Sequence, residues 1–459
     1  MKFCFIIHPN KQKTNVFPLG PAYLGAVLRE KGHEVKMYCM DVFHYTPQEL
    51  KTYLEKENFD AIGMGFMAAR LDFVMECVEA INSLDKKPLF ILGGPGPTPI
   101  PEYCLKKLQA DIAVLGEGEL ILPDLLDAVK EGKHLSEVKG IAYREGDNVT
   151  INERREPVKN LDDLPLPAWD LFPIEKYVDY PLTGSLPTDR VMAIISSRGC
   201  PYRCNFCYRL EKSIRLRSID KIIEEMKILH ERYRINIFHF NDELVMVTAK
   251  RMIDLCNAIL EAGLKIKFVI NGRLNIVNEE VLDALKKAGC TFVNYGIEAY
   301  DQKLLDTMQK DLTIEQIDKG LEITAKANMG MGVNIIFGHI GETKKTFKKG
   351  VELVRKYYKY DRCRTIRPVT PYPGSPLYDY AIEKGLLKGP EDFFAKHHNS
   401  DLFTVNFTDM SDEEFYKTLF EVNKEMGRKY FNIFADELEK SLERLYFKGD
   451  YSFRGSRFR

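Results

Sequence analysis

The sequence has almost no net charge. Its 459 residues carry 66 Lys and Arg against 67 Asp and Glu, a formal charge of −1. Broad contact with nucleic acid requires an excess of positive charge, so that class is disfavoured, although a local patch survives such averaging. A long apolar run is also missing, since none approaches the ~18–20 residues that a membrane helix needs. The opening residues, Met1 to Pro9, enter a strand at once and lack signal-peptide anatomy. There is no disulfide framework either. Of 10 cysteines, Cys4, Cys39, Cys77, Cys104, Cys256, Cys290 and Cys363 are scattered through apolar contexts and read as small buried hydrophobes. These absences lead us to expect a chain of the reducing cytoplasm, with no membrane span and no nucleic-acid partner. The basic, aromatic end from Phe447 to Arg459 reads as a solvated tail.

What is present is a globular balance, 45% hydrophobic and 29% charged, on a chain too long for one core. Over the first ~135 residues short apolar strands alternate with amphipathic helices, which predicts an α/β, doubly wound parallel sheet. Strands are expected at 2–7, 34–39, 60–65, 88–92 and 111–115. A hairpin over 139–158 and a proline-dotted strap from Leu161 to Arg190 follow. A second series expects strands at 191–195, 236–240, 267–270, 292–296, 333–337 and 364–368, which suits a partial (β/α)6 barrel. The remainder is helical, including Ser411 to Glu437. Expected domains are therefore 1–137, 138–187, 188–380 and 381–459.

Cys200, Cys204 and Cys207 stand in a C-x3-C-x2-C spacing directly after the first strand of the second series. Three thiolates in one short loop can hold a cuboidal iron–sulfur cluster and leave one iron without a protein ligand. Gly199 and Pro201 help the loop turn, and Arg198 and Arg203 are placed to offset the cluster's charge. The competing readings are buried thiols, or a zinc site for which His239 is the nearest further ligand.

This spacing, with the aromatic Phe206 before the last cysteine, resembles the signature of the radical S-adenosylmethionine (SAM) superfamily. The resemblance implies a 4Fe–4S cluster whose open iron binds SAM, and an electron that splits SAM to a 5′-deoxyadenosyl radical. It also implies a separate electron donor such as flavodoxin or ferredoxin, and a small-molecule substrate. Phe206, Asp242 and Glu243 after the second strand, and Glu298 after the fourth, are the implied SAM-binding residues. The Phe337–Thr343 stretch resembles the fifth-strand element with Ile340 in place of proline, and Thr370–Pro376 matches the sixth-strand turn.

The first domain resembles the cobalamin-binding domain of one branch of that superfamily. Gly65, Gly93, Gly94, Gly96, Thr98 and Glu117, in loops at the carboxyl ends of the strands, are the implied cobalamin-binding residues; tight turns alone are the plainer reading of those glycines. Arg215–Leu216–Arg217–Ser218 also recurs in that branch. The Asp-x-His-x-x-Gly motif that supplies a lower histidine to cobalt is absent, and His8 stands near its place without the partner spacing. The branch implies a methyltransferase acting on an unactivated carbon or phosphorus centre; the alternative is a cobalamin-dependent or cobalamin-free radical oxidoreductase, cyclase or carbon–carbon bond-forming enzyme, the first domain being merely structural in the cobalamin-free case. An RNA methylthiotransferase would need three more clustered cysteines, which Cys4, Cys39, Cys77 and Cys104 do not form.

Overall fold

The computed structural model describes residues 1–10, 16–178, 188–360, 365–430 and 435–450. Cys363, the end of the strap and the last part of the basic tail lie outside these described residues. The chain divides into two compact units. The first takes Met1–Tyr180, Pro187–Gly199 and Leu210–Ile235; the second takes Cys200–Arg209 and Asn236–Arg459.

In the first unit, strands β1 (Lys2–Ile7), β2 (Glu34–Cys39), β3 (Ala61–Gly65), β4 (Leu89–Gly93) and β5 (Ile112–Val114) pair in parallel. Helices α1 (Leu19–Glu30), α2 (Met40–Phe43), α3 (Pro47–Glu57), α4 (Leu71–Asn82), α5 (Pro101–Leu108) and α6 (Gly118–Glu131) connect and follow them. The expected hairpin forms as β6 (Ile141–Glu145) and β7 (Asn148–Ile151), but it is not a separate element. β6 pairs antiparallel to β5, giving a seven-stranded sheet of order β2-β1-β3-β4-β5-β6-β7. The physical reason is that β5 would otherwise be an open edge. Phe3, Phe5, Leu28, Ile91, Ile112 and Leu125 belong to the core under that sheet. α3 begins with a capping box between Thr46 and Glu49, with Pro47 at its first position.

The strap is ordered as far as the structure describes it. Phe172 and Tyr177 pack edge-on to Phe17 at 4.9 and 5.5 Å, and the Tyr177 hydroxyl donates to Asp41 at 2.9 Å. The first unit is completed by β8 (Val191–Ile194), the short antiparallel pair β9 (Ser197–Arg198) and β10 (Arg215–Leu216), and α7 (Ile219–Tyr233).

The second unit holds the parallel strands β11 (Ile237–Phe240), β12 (Lys267–Gly272), β13 (Cys290–Glu298), β14 (Gly330–Phe337) and β15 (Arg367–Pro368), in the order β15-β14-β13-β12-β11. They form the curled sheet of a partial barrel. Its helices are α8 (Ala249–Glu261), α9 (Glu279–Lys287), α10 (Gln302–Thr307), α11 (Ile314–Lys326), α12 (Lys344–Tyr357), α13 (Pro376–Glu383) and α14 (Pro390–Lys396). Thr248, Asn278, Thr313, Thr343 and Ser375 each accept a backbone N–H at a helix start, so strand-to-helix loops end where the sequence places short polar side chains. The helical remainder, with its apolar periodicity over Ser411 to Glu437, includes α15 (Asp412–Tyr430) and α16 (Ala435–Lys448). Among the described residues no helix is long and apolar enough to cross a membrane.

Candidate active site

The loop carrying the three cysteines is pinned within the second unit by one residue that the sequence reading did not single out. Asn205 donates its backbone N–H to Met308 O at 3.0 Å and its side-chain amide to Thr307 O at 2.8 Å. Its carbonyl accepts from Leu377 N at 2.8 Å, at the start of α13. Its Oδ1 meets His339 Nε2 at 2.9 Å, beyond β14. Burial drives the His339 imidazole down to about 4, so it is neutral near pH 7 and Nε2–H is the donor. The loop is thus tied to the end of α10, to the loop after β14 and to the start of α13.

Tyr202, between the first two cysteines, is held by Arg273 at the end of β12. The guanidinium lies 3.4 Å from the centre of the Tyr202 ring and donates to Lys310 O at 2.6 Å and Asp311 O at 2.9 Å. Lys310 is itself buried, and its ammonium contacts Glu298 Oε1 at 2.9 Å and stands 5.9 Å from the Phe206 ring. Burial alone would lower this lysine, but Glu298 and Cys204 hold it charged, above its ordinary value. Cys204 is held down to about 6 by a hydrogen bond from Cys207, against burial and with help from Lys310, whereas burial pushes Cys200 up. A thiolate is the ligand form. Arg198, expected to offset cluster charge, is turned to Glu119 and Glu117 instead, and Arg203 is exposed. The buried cations beside the loop are Arg273 and Lys310, whose spacing from the cysteines carried no sequence signal.

Glu298 sits at a bulge in β13 between Gly296 and Glu298, with a φ of 71°. A non-glycine residue in the left-handed region is strained, and such strain collects at functional sites. The bulge re-aims the carboxylate. Gly296 leaves it room, since a Cβ there would lie 2.5 Å from Glu298 Oε1. Asp242 is buried after β11 and Glu243 beside it is exposed. Across β12, β13 and β14 runs an amide ladder that was also missed. Asn334 donates to Asn294 at 2.8 Å, Asn294 to Asn271 at 3.1 Å, and Asn271 to Asp242 O at 3.1 Å.

In the first unit the glycine loops gather at the carboxyl ends of β3 and β4. Gly94 has a φ of 85°, and a Cβ on Gly96 would lie 2.6 Å from the Phe66 ring. These two glycines serve the packing of one loop on the other. At Gly93 nothing lies within 4 Å of an added Cβ, and at Gly65 only Gly93 backbone at 3.7 Å or more. Gly65 and Gly93 therefore form the open part of the cradle. Thr98 joins the neighbouring loops: its hydroxyl donates to Gly94 O at 2.8 Å and accepts from Gly116 N at 3.2 Å. Glu117 is buried; burial works against its charge, but Arg215 and Arg198 keep its carboxyl below the ordinary range. His8 Nδ1–H donates to Pro9 O at 2.9 Å, and its ring stacks on Phe73.

These residues fit the cofactors that the sequence implied. Among the described residues no three His, Cys, Asp or Glu side chains converge as they would round a single ion, with or without His239. A cuboidal cluster takes each thiolate on a different iron, so it needs a surrounding loop rather than a point. The donor set is thiolate, buried cations flank it, and an open glycine cradle stands at the sheet of the other unit.

Comparison with known proteins agrees. The chain matches the Radical SAM superfamily over residues 194–354 and the B12 binding domain over residues 10–126. It belongs to the radical SAM superfamily, in the branch that carries a B12-binding domain, and its cofactors are a 4Fe–4S cluster, SAM and cobalamin. An uncharacterized methyltransferase of Pyrococcus horikoshii is 31% identical over 397 residues, covering 84% of each chain. The anaerobic magnesium-protoporphyrin IX monomethyl ester cyclase of Rubrivivax gelatinosus is 26% identical, over 82% of this chain and 70% of its own. The structure of the cobalamin-dependent radical enzyme OxsB with aqua-cobalamin and SAM bound shares the fold, with a TM-score of 0.74 at 18% identity over 98% of this chain and 71% of that one.

Proposed function

We propose that this enzyme is a cobalamin-dependent methyltransferase whose substrate is a small molecule with an unactivated carbon or phosphorus centre. The observation that carries this reading is the presence in one chain of the pinned cysteine loop and the open glycine cradle of a B12-binding domain, together with a methyltransferase relative of nearly full coverage. When bound, the cluster and SAM supply a carbon radical, and cobalamin supplies a methyl carrier.

This chain's residues then have definable parts. Cys200, Cys204 and Cys207 hold the cluster. Lys310 and Arg273 balance charge and fix the loop. Glu298, Asp242 and Glu243 take SAM's polar groups, and Phe206 offers a ring face to it. Gly65 and Gly93 admit the flat cofactor. The amide ladder Asn271–Asn294–Asn334 gives the barrel sheet directional hydrogen bonds for a polar substrate. A separate reductant such as flavodoxin or ferredoxin delivers the electron.

The cyclase relative supports a second reading, a radical oxidoreductase or cyclase on the same scaffold. The test is anaerobic reconstitution with iron, sulfide and hydroxocobalamin, followed by gel filtration. Retained cobalamin with SAM cleavage supports methyl transfer; cleavage without any retained cobalamin moves the assignment to the second reading. Alanine at any of the three cysteines should abolish cluster absorbance, whereas alanine at Cys256 or Cys290 should not.

A further inference from the structure

Arg198 on β9 lies directly opposite Arg215 on β10, in an antiparallel pair only two residues long. Like charges facing each other across strands repel, and these side chains are only 17% and 12% exposed. Two carboxylates at the start of α6 make the arrangement possible. Glu117 Oε1 receives Arg215 Nη2 at 2.5 Å and Arg198 Nη1 at 3.4 Å; its Oε2 receives Arg215 Nη1 at 2.9 Å and Val158 N at 3.2 Å. Glu119 receives Arg198 Nη2 at 2.6 Å. Arg215 also donates to Val158 O.

Two things follow from this geometry. A carboxylate has about four lone-pair sites; three of those on Glu117 take hydrogen bonds from Arg215 and Val158, and Arg198 Nη1 stands over the remaining side at 3.4 Å, so the group is committed to this ion cluster. Secondly, β9 and β10 are the two arms between which the cysteine loop is strung. Their throat is tight: Gly199, with a φ of 84°, would place a Cβ 2.0 Å from Ser213 O.

We propose that Glu117 is a positioning residue for the cluster loop, acting through Arg215 and Arg198, and not a cobalamin contact. This assigns a role to the first arginine of the Arg215–Ser218 motif. The assignment rests on the cofactor set of the proposed function, but it is tested separately from it.

The test compares wild type with Glu117→Gln and Arg215→Lys, each reconstituted anaerobically with cluster and hydroxocobalamin. Removing the Glu117 charge leaves the largely buried Arg215 guanidinium without a carboxylate and facing Arg198, which keeps Glu119, so bleaching of the cluster by an iron chelator should accelerate about tenfold or more. Arg215→Lys keeps the charge but loses the two-pronged contact and should fall between. Electron paramagnetic resonance of the reduced cluster with SAM should broaden in both, a change that lower fold stability alone does not cause. Cobalamin retained after gel filtration should stay within about twofold of wild type, since the Glu117 carboxylate is committed to Arg215, Arg198 and Val158. Lost cobalamin with unchanged bleaching would make Glu117 a corrinoid contact and overturn the proposal. Unchanged bleaching and spectra, or loss of both cofactors in both variants, would also overturn it. If Glu117→Gln does not fold, Arg215→Lys decides by the same readouts. A wild type that retains no cobalamin sinks the methyltransferase reading, while the bleaching comparison still decides this one.

Discussion

His339 Nε2 and Asn205 Oδ1 meet at 2.9 Å across 134 residues of sequence, joining the loop of the three cysteines to the end of β14. The pair needs a proton on Nε2, and burial keeps the His339 ring neutral, so this is the Nε2–H tautomer. Asn205→Ala removes this bond and the one to Thr307 together; Thr307 O is at the surface and turns to water, but the buried His339 Nε2–H is left unmet. Each buried group left without a partner costs about 1–3 kcal/mol. Iron bound after reconstitution should fall, and in the apoprotein the loop should become more susceptible to limited proteolysis. Asn205→Asp keeps an acceptor for His339 Nε2–H and loses only the surface bond to Thr307 O, so it should restore part of both.

Glu298 and Lys310 form a buried pair with side chains 13% and 8% exposed. Lys310→Met leaves a buried carboxylate unpaired, a change that costs about 3–5 kcal/mol, so the urea midpoint should drop clearly. Glu298→Gln is milder for the fold but removes the charge that SAM is expected to meet. A charge-assisted hydrogen bond is worth about 1.5–3 kcal/mol, so SAM affinity should weaken by about ten- to a hundredfold with iron content unchanged. Unchanged SAM affinity would leave Glu298 a purely structural partner of Lys310.

Burial lifts the Glu342 carboxyl from 4.5 to about 8, against the pull of two backbone N–H groups from Gly338 and His339. A raised carboxyl pKa favours the protonated form in the folded state. Its contribution to stability is complete below about 4.5 and is lost as the pH climbs through about 8. Urea midpoints at pH 5.5 and 8.5 should therefore differ, with the higher pH less stable on this account. Glu342→Gln should shrink that difference.

Gly93 opens onto free space, whereas Gly94 and Gly96 are bound up with Phe66. Gly93→Phe should weaken cobalamin binding about tenfold or more by filling the cradle, and leave cluster content near wild type. Substitutions at Gly94 should instead lower the stability of the first unit, because its φ of 85° suits glycine alone. Equal loss of cobalamin and cluster in Gly93→Phe would mean that the cradle is not the cobalamin site.

Much of this protein is settled by the sequence itself. Strand and helix periodicities placed β1 to β5 and the barrel strands within a few residues, since alternation, caps and glycine stops are local properties. The spacing of Cys200, Cys204 and Cys207 is equally local, and it names its chemistry. Tertiary structure alone decided which charges meet. Arg198 lies two residues from Cys200, yet it is paired with Glu119, 79 residues away. Glu117 is engaged by Arg215 across 98 residues, and Arg273 reaches the carbonyls of Lys310 and Asp311. Such partners leave no periodic trace, because ion pairs and amide ladders form between elements wherever the chain brings them close. Burial, which sets both the strength of those pairs and the titration of Glu342 and His339, exists only once the chain has folded.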